Sequence, residues 1–152
     1  ARMDAEAASG TNFGGLALAR GDGVLPVYSG VALAGAAVRL CGGRPTGGFY
    51  NKIGNRRFLK FSVPGSRTIN VQVTCPVSDA SCAGQPTPDP DFALYRGRTV
   101  QFAESETPFV EELQKNVEAG DYVLEIYEYS HVNLDDRVAR RGDTCMTVRI
   151  TG

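Results

Sequence analysis

The sequence predicts an all-β fold: an antiparallel β-sandwich of jelly-roll or immunoglobulin-like type, held in part by disulfides. Three observations carry that prediction. From residue 56 onward, short segments alternate apolar and polar residues with a period of two, as half-buried strands do. Turn residues punctuate these segments at close spacing, which suits a sandwich or barrel. Four cysteines, Cys41, Cys75, Cys82 and Cys145, are distributed through the chain.

The elements follow in order. Residues 1–23 are glycine-rich and weakly patterned and are expected to form an arm or linker, with a strand near 15–19. Strands are expected near 24–28 and 36–41, where the glycines and Pro26 favour edge positions or bulges. A single domain would then run over residues 24–152. In "RRFLKFSVPG", Leu59, Phe61 and Val63 share one face and Phe58, Lys60 and Ser62 the other, before a Pro64-Gly65 turn. "RTINVQVTC" sets Ile69, Val71 and Val73 against Asn70, Gln72 and Thr74. After the turn-rich "VSDASCAGQPTPDP", the segment "DFALYRG" reads as a short strand closed by Gly97, and "RTVQFAES" as another with Val100 and Phe102 inward. "FVEELQKNVEAG" fits a helix or a strand; a strand at 110–116 is favoured, ending at the Ala119-Gly120 turn. "DYVLEIYEYS" places Tyr122, Leu124 and Ile126 opposite Val123, Glu125 and Tyr127. "YSHVNLDDR" reads as a polar loop, and "TCMTVRIT" closes the domain with Met146, Val148 and Ile150 on one face.

The totals limit the function classes. At 152 residues the chain is long enough to build a core without a structural metal. A formal net charge of -1 supplies no overall field to recruit nucleic acid or an anionic membrane. No run approaches the roughly 18 apolar residues of a membrane-spanning helix. No signal peptide is legible at the start, and a chain beginning at Ala1 is expected to be a mature or trimmed one.

The even cysteine count points to two disulfides and an oxidising, secreted or periplasmic compartment. Zinc is disfavoured because no C-x2-4-C pair occurs. Three connectivities exist. Cys75–Cys82 with Cys41–Cys145 is favoured, since the first staples a local loop and the second ties an early strand to the last.

The order of signals also resembles a known family. "FLKFSVPGSRTINVQVTC", "DPDFALYRGR", "VEELQKNVEAGDYVLEIYEYS" and "CMTVRITG" together look like the bacterial pre-peptidase C-terminal domain over residues 56–152. Val63, Pro64 and Gly65 match its first element. Asp89, Asp91, Phe92, Leu94 and Tyr95 approximate its Asp-x-Asp-Leu-Tyr element. Ala119, Gly120, Tyr122, Leu124 and Ile126 match its last. "DPDFALY" departs by one extra residue before the Leu-Tyr pair, which leaves open which acid faces inward. The resemblance implies a non-catalytic β-sandwich, appended to secreted peptidases or other exported proteins and associated with export or with holding an insoluble substrate. Some related collagen-binding domains use calcium.

Candidate chemistry is sparse. Asp89 and Asp91 at alternate positions, joined from neighbouring loops by Asp79 or by Glu104 and Glu106, offer the hard oxygen donors that calcium takes, with Asp89, Asp91 and Glu104 the favoured set. The competing reading has these acids capping backbone N–H groups at the start of a strand. No other cofactor is suggested. Their spacing alone does not exclude a glycosidase pair, but the chain has no tryptophan to hold a sugar. His131 is the only histidine, and no G-x-S-x-G or H-E-x-x-H motif occurs. Asp135 and Asp136 read as a solvated turn. Two Arg-Gly-Asp tripeptides, at 20–22 and 141–143, read as turn sequence rather than adhesion motifs. Phe58, Tyr127 and Tyr129 form a candidate binding surface on the face away from the aliphatic stripe.

The sequence therefore points to a non-enzymatic accessory or binding module for a protein or other macromolecule. The alternative is a stand-alone structural or adhesin-like subunit pairing by strand addition. Oligomeric state is not encoded in any pattern found.

Overall fold

The computed structural model describes residues 18–20, 26–31, 33–44, 56–132 and 142–152. The remainder of the expected arm, Asp22, Asp135, Asp136 and Arg141 lie outside the described residues.

Among the described residues, ten strands build two facing sheets: β1 (Leu18–Arg20), β2 (Pro26–Val31), β3 (Val38–Arg44), β4 (Arg57–Val63), β5 (Arg67–Thr74), β6 (Pro90–Arg96), β7 (Arg98–Ala103), β8 (Val110–Val117), β9 (Gly120–Glu128) and β10 (Gly142–Thr151). The larger sheet runs β1-β2-β4-β9-β6-β7 and the smaller β3-β10-β5-β8. Every pairing is antiparallel except β2 with β4, which is parallel and carries a register shift between Tyr28 and Val31. β1 and β2 lie at the margin of the larger sheet and β3 at the margin of the smaller, where glycine and proline are tolerated. Part of the expected arm thus belongs to the sheet, because Leu18–Arg20 pair with β2.

The period-two pattern sets the core. Leu59, Phe61 and Val63 of β4 and Leu124 and Ile126 of β9 face Ile69, Val71 and Val73 of β5 and Met146, Val148 and Ile150 of β10. Each such side chain, once buried, contributes about 1.5–3 kcal/mol. The opposite face of the smaller sheet is polar, with Asn70 Nδ2 donating to Glu112 Oε1 across the β5–β8 pair at 2.8 Å. Buried Arg57 of β4 donates from Nε to the Cys41 carbonyl of β3 at 2.7 Å, joining the two sheets.

Both disulfides pair as favoured. Cys41 and Cys145 are direct partners across β3 and β10, and Cys75–Cys82 closes the loop after β5. A 3₁₀ turn at Ala80–Cys82 seats the second bridge, with Asp79 accepting from Ser81 N at 3.0 Å as its cap.

Two expectations are corrected. Phe102 was expected inward. Instead β7 bulges at the register shift between Leu94 and Tyr95, so Val100 and Ala103 turn toward the core while Phe102 lies opposite Ala93, 51% exposed. The segment expected to be a polar loop begins with a helical turn, α1 (Tyr129–Val132), in which His131 is buried. Its start is capped by Glu128, whose carboxylate accepts from Ser130 Oγ and His131 N. Gly142 and Asp143 of the second Arg-Gly-Asp are strand residues opposite Arg44 and Gly43. No helix among the described residues is long and apolar enough to cross a membrane.

Candidate functional site

The larger sheet turns one face away from the core, and strand register lays out what it carries. One row crosses the sheet as Phe102, Ala93, Glu125 and Phe58. The neighbouring row places Asp91 opposite Tyr127. Alternation puts Tyr95 of β6 and Val123 of β9 on this same face.

These side chains bond to one another. Arg56 Nη1 donates to Glu125 Oε1, and Tyr95 Oη donates to Glu125 Oε2 at 2.6 Å. The Arg56 guanidinium lies 4.3 Å from the centre of the Tyr127 ring, a cation–π geometry. Tyr127 Oη donates in turn to Glu104 Oε1. Burial and the Glu104 carboxylate push the Tyr127 hydroxyl well above its ordinary pKa, and burial and Glu125 push Tyr95 to about 12. Both phenols therefore act as hydrogen-bond donors at any physiological pH.

Beyond Asp91 the face ends in carboxylates. Asp91 is 3% exposed and its Oδ1 has no hydrogen-bond partner; the same holds for Asp89 Oδ1. Burial first, then Asp89, Glu104, Glu111 and Glu128, raise Asp91 to about 8. Burial first, then Glu128, Glu111 and Glu106, raise Asp89 to about 6. Asp91 is thus mostly protonated at neutral pH. Glu128 and Glu111 are tied to backbone: Glu128 Oε1 accepts from Asp89 N at 3.1 Å, and Glu111 accepts from Ser105 N at 2.5 Å and Glu112 N at 3.1 Å.

The structure therefore brings Asp89, Asp91 and Glu104 into one neighbourhood and joins it to Tyr127. Asp79 goes elsewhere. It pairs with Arg39 at 2.8 Å, which with Ser81 holds its carboxyl down at about 2. Asp89 and Asp91 do not cap the start of β6 with those orphaned oxygens; Glu128 performs that service for Asp89 N. Among the three aromatics, Tyr129 is exposed, Phe58 is half-buried and Tyr127 is enclosed, so Tyr127 supports the surface from beneath rather than offering a contact. Arg56, Glu111 and Glu128 were not anticipated. Period-two alternation places Glu125 on the outer face, but nothing local in sequence assigns it Arg56 as partner, 69 residues away.

The carboxylates have the donor chemistry of a calcium site, and two of them present buried oxygens without partners. Among the described residues, however, no three carboxylate, histidine or cysteine groups gather at one point.

No family model matches the chain, and no curated protein matches it in sequence. Among solved structures, the domain is similar to the pre-peptidase C-terminal domain of the collagenase of Bacillus anthracis, with a TM-score of 0.46 and 14% identity over 75% of this chain and 88% of that one. It is also similar to CorA, a surface-associated copper-binding protein of Methylomicrobium album BG8, with a TM-score of 0.50 and 7% identity over 82% of this chain and 96% of that one. At such identities the likeness is one of fold and assigns no residue a role.

Proposed function

We propose that this domain is a non-catalytic binding module of an exported bacterial protein and that the outer face of its larger sheet is the recognition surface. The observation that carries the reading is the row from exposed Phe102 across Ala93 to Glu125 and Phe58. Its ends are aromatic, exposed Phe102 and half-buried Phe58, and between them lie buried Ala93 and a Glu125 fixed by Arg56 and Tyr95. Rigid aromatic anchors beside pre-ordered polar groups are what a macromolecular ligand needs. Two disulfides support export. The sequence resemblance supports a module appended to a secreted peptidase, aiding substrate binding or export. Depletion of the domain from solution by insoluble collagen and by insoluble polysaccharides tests the reading. Phe102→Ala should lower the bound fraction at least threefold without changing the melting temperature. No depletion by any of these solids, or an unaffected Phe102→Ala variant, would sink it.

A second reading rests on the two orphaned carboxylate oxygens. Asp89 and Asp91, with Glu104 in the same neighbourhood, carry the carboxylates that would have to draw together around a calcium ion. The ion would neutralise their mutual repulsion and complete its shell with water. Copper suits this donor set poorly, since all four cysteines are in disulfides and His131 is the sole histidine. Calcium added to chelator-treated protein should raise the melting temperature, and Asp91→Asn should abolish the rise. A flat titration removes the site and leaves the recognition surface untouched.

A further inference from the structure

The strand register brings three turns to the end of the sandwich opposite the carboxylates: residues 64–66 and 118–119, which cross between the sheets from β4 to β5 and from β8 to β9, and Gly97 in the β6–β7 hairpin. A groove of about 520 Å³ opens there, lined by Arg96, Arg98, Thr99, Asn116, Glu118 and Tyr122 among others. A second, of about 390 Å³, shares Asn116 and Glu118 as a wall and adds Ser66, Arg67 and Thr68.

Arg96 is held in place. Its Nη1 pairs with Glu118 Oε2 at 2.7 Å, and its guanidinium lies 5.9 Å from the Tyr122 ring centre. Gly120, at φ 152°, makes room for it, because a Cβ at that position would stand 2.7 Å from Arg96 Nε. Glu118, in contrast, is fixed only from one side; its side chain is 80% exposed. Neither Arg98 nor Arg67 forms an ion pair among the described residues.

We propose that this groove binds an acidic polysaccharide through its uronate carboxylates. Arg96 is the pre-ordered receptor, and Glu118 occupies the place that a sugar carboxylate takes over when it swings into solvent. Arg98 and Arg67 supply guanidinium groups outside any ion pair among the described residues, Arg67 donating only from Nε to the Gly65 carbonyl at 3.3 Å, and their planar geometry matches carboxylates spaced along a chain. Ser66 and Thr99 offer hydroxyls, and Asn116, whose Oδ1 accepts from Thr68 Oγ1, offers its amide N–H donors to sugar hydroxyls. The groove's apolar members are Val100, half-buried, and Val117, buried, so no exposed apolar side chain is there to anchor a peptide. The site stands independently of the sheet face described above.

Titration calorimetry with an oligogalacturonate tests it, with a neutral oligomannose and a poly-glutamate peptide in parallel. The oligogalacturonate should bind, and added salt should weaken the binding. Arg98→Ala should lower affinity about tenfold, the loss expected for a charge-assisted hydrogen bond. Glu118→Gln should raise affinity, since it removes the internal competitor. Arg98→Ala should melt with the parent protein, which separates lost binding from lost folding. The proposal is overturned if the oligogalacturonate gives no heat, if the oligomannose binds equally, if poly-glutamate binds as tightly, or if both variants behave as the parent.

Discussion

Asp91 and Tyr127 are direct partners in the β6–β9 ladder, side by side on the outer face of the sheet and both enclosed. The phenol donates its hydrogen bond to Glu104 rather than to Asp91, which leaves Asp91 Oδ1 buried without a partner. A carboxyl in that position is stable only while it carries its own proton.

The first prediction concerns pH. An unfolded aspartate ionises near pH 4. Asp89, raised to about 6, and Asp91, raised to about 8, hold their protons more tightly in the folded state. Their contribution to stability is therefore complete below pH 4 and is lost as pH rises through 6 and then 8. Melting in chelator should show falling stability from pH 5 to 8.5. Asp91→Asn should flatten the upper part of that slope and exceed the parent at pH 8.5 by on the order of 2 kcal/mol. Asp79, held down at about 2, acts in the opposite sense and adds a loss of stability as pH falls from 4 through 2.

The second concerns the ion pair beneath the recognition surface. Arg56 and Glu125 are both mostly buried, at 17% and 11% side-chain exposure. Removing Arg56 takes the cation away from the buried Glu125 carboxylate and leaves it the Tyr95 hydroxyl as a donor. Arg56→Met should cost about 3 kcal/mol in urea denaturation, and adding Glu125→Met should restore most of it. Equal losses in the single and double variants would show that the arginine stabilises through its packing on Tyr127 and not through the carboxylate.

The third concerns the two bridges, which close spans of very different length: sequence separations of 104 for Cys41–Cys145 and 7 for Cys75–Cys82. By loop-closure entropy, replacing the first pair with serine should cost about 4.8 kcal/mol and the second about 2.5 kcal/mol. Thiol labelling of unfolded, unreduced protein should find no free cysteine, in agreement with the paired state of all four.

Alternation made the faces of β4, β5, β9 and β10 legible, because a strand with one buried face must repeat every two residues. The same rule failed in β7, where a bulge at Val100 exchanges inside for outside, and no local residue type announces it. The helical turn at Tyr129–Val132 escaped notice for a related reason. Its cap is Glu128, a strand residue whose role depends on Asp89 N arriving from another part of the chain.

The sequence by itself determined the all-β class and the main core-facing residues, since both depend on local periodicity, and it favoured one of three cysteine pairings, which the structure then showed. Only the tertiary structure decided what the charged residues do. It sent Asp79 to Arg39, enclosed Asp91 beside Tyr127, tied Arg56 to Glu125, and placed Arg96, Arg98 and Arg67 at the end away from the carboxylates. Charges act across space and not along the chain, so their partners are fixed by strand order and register, which no single segment encodes.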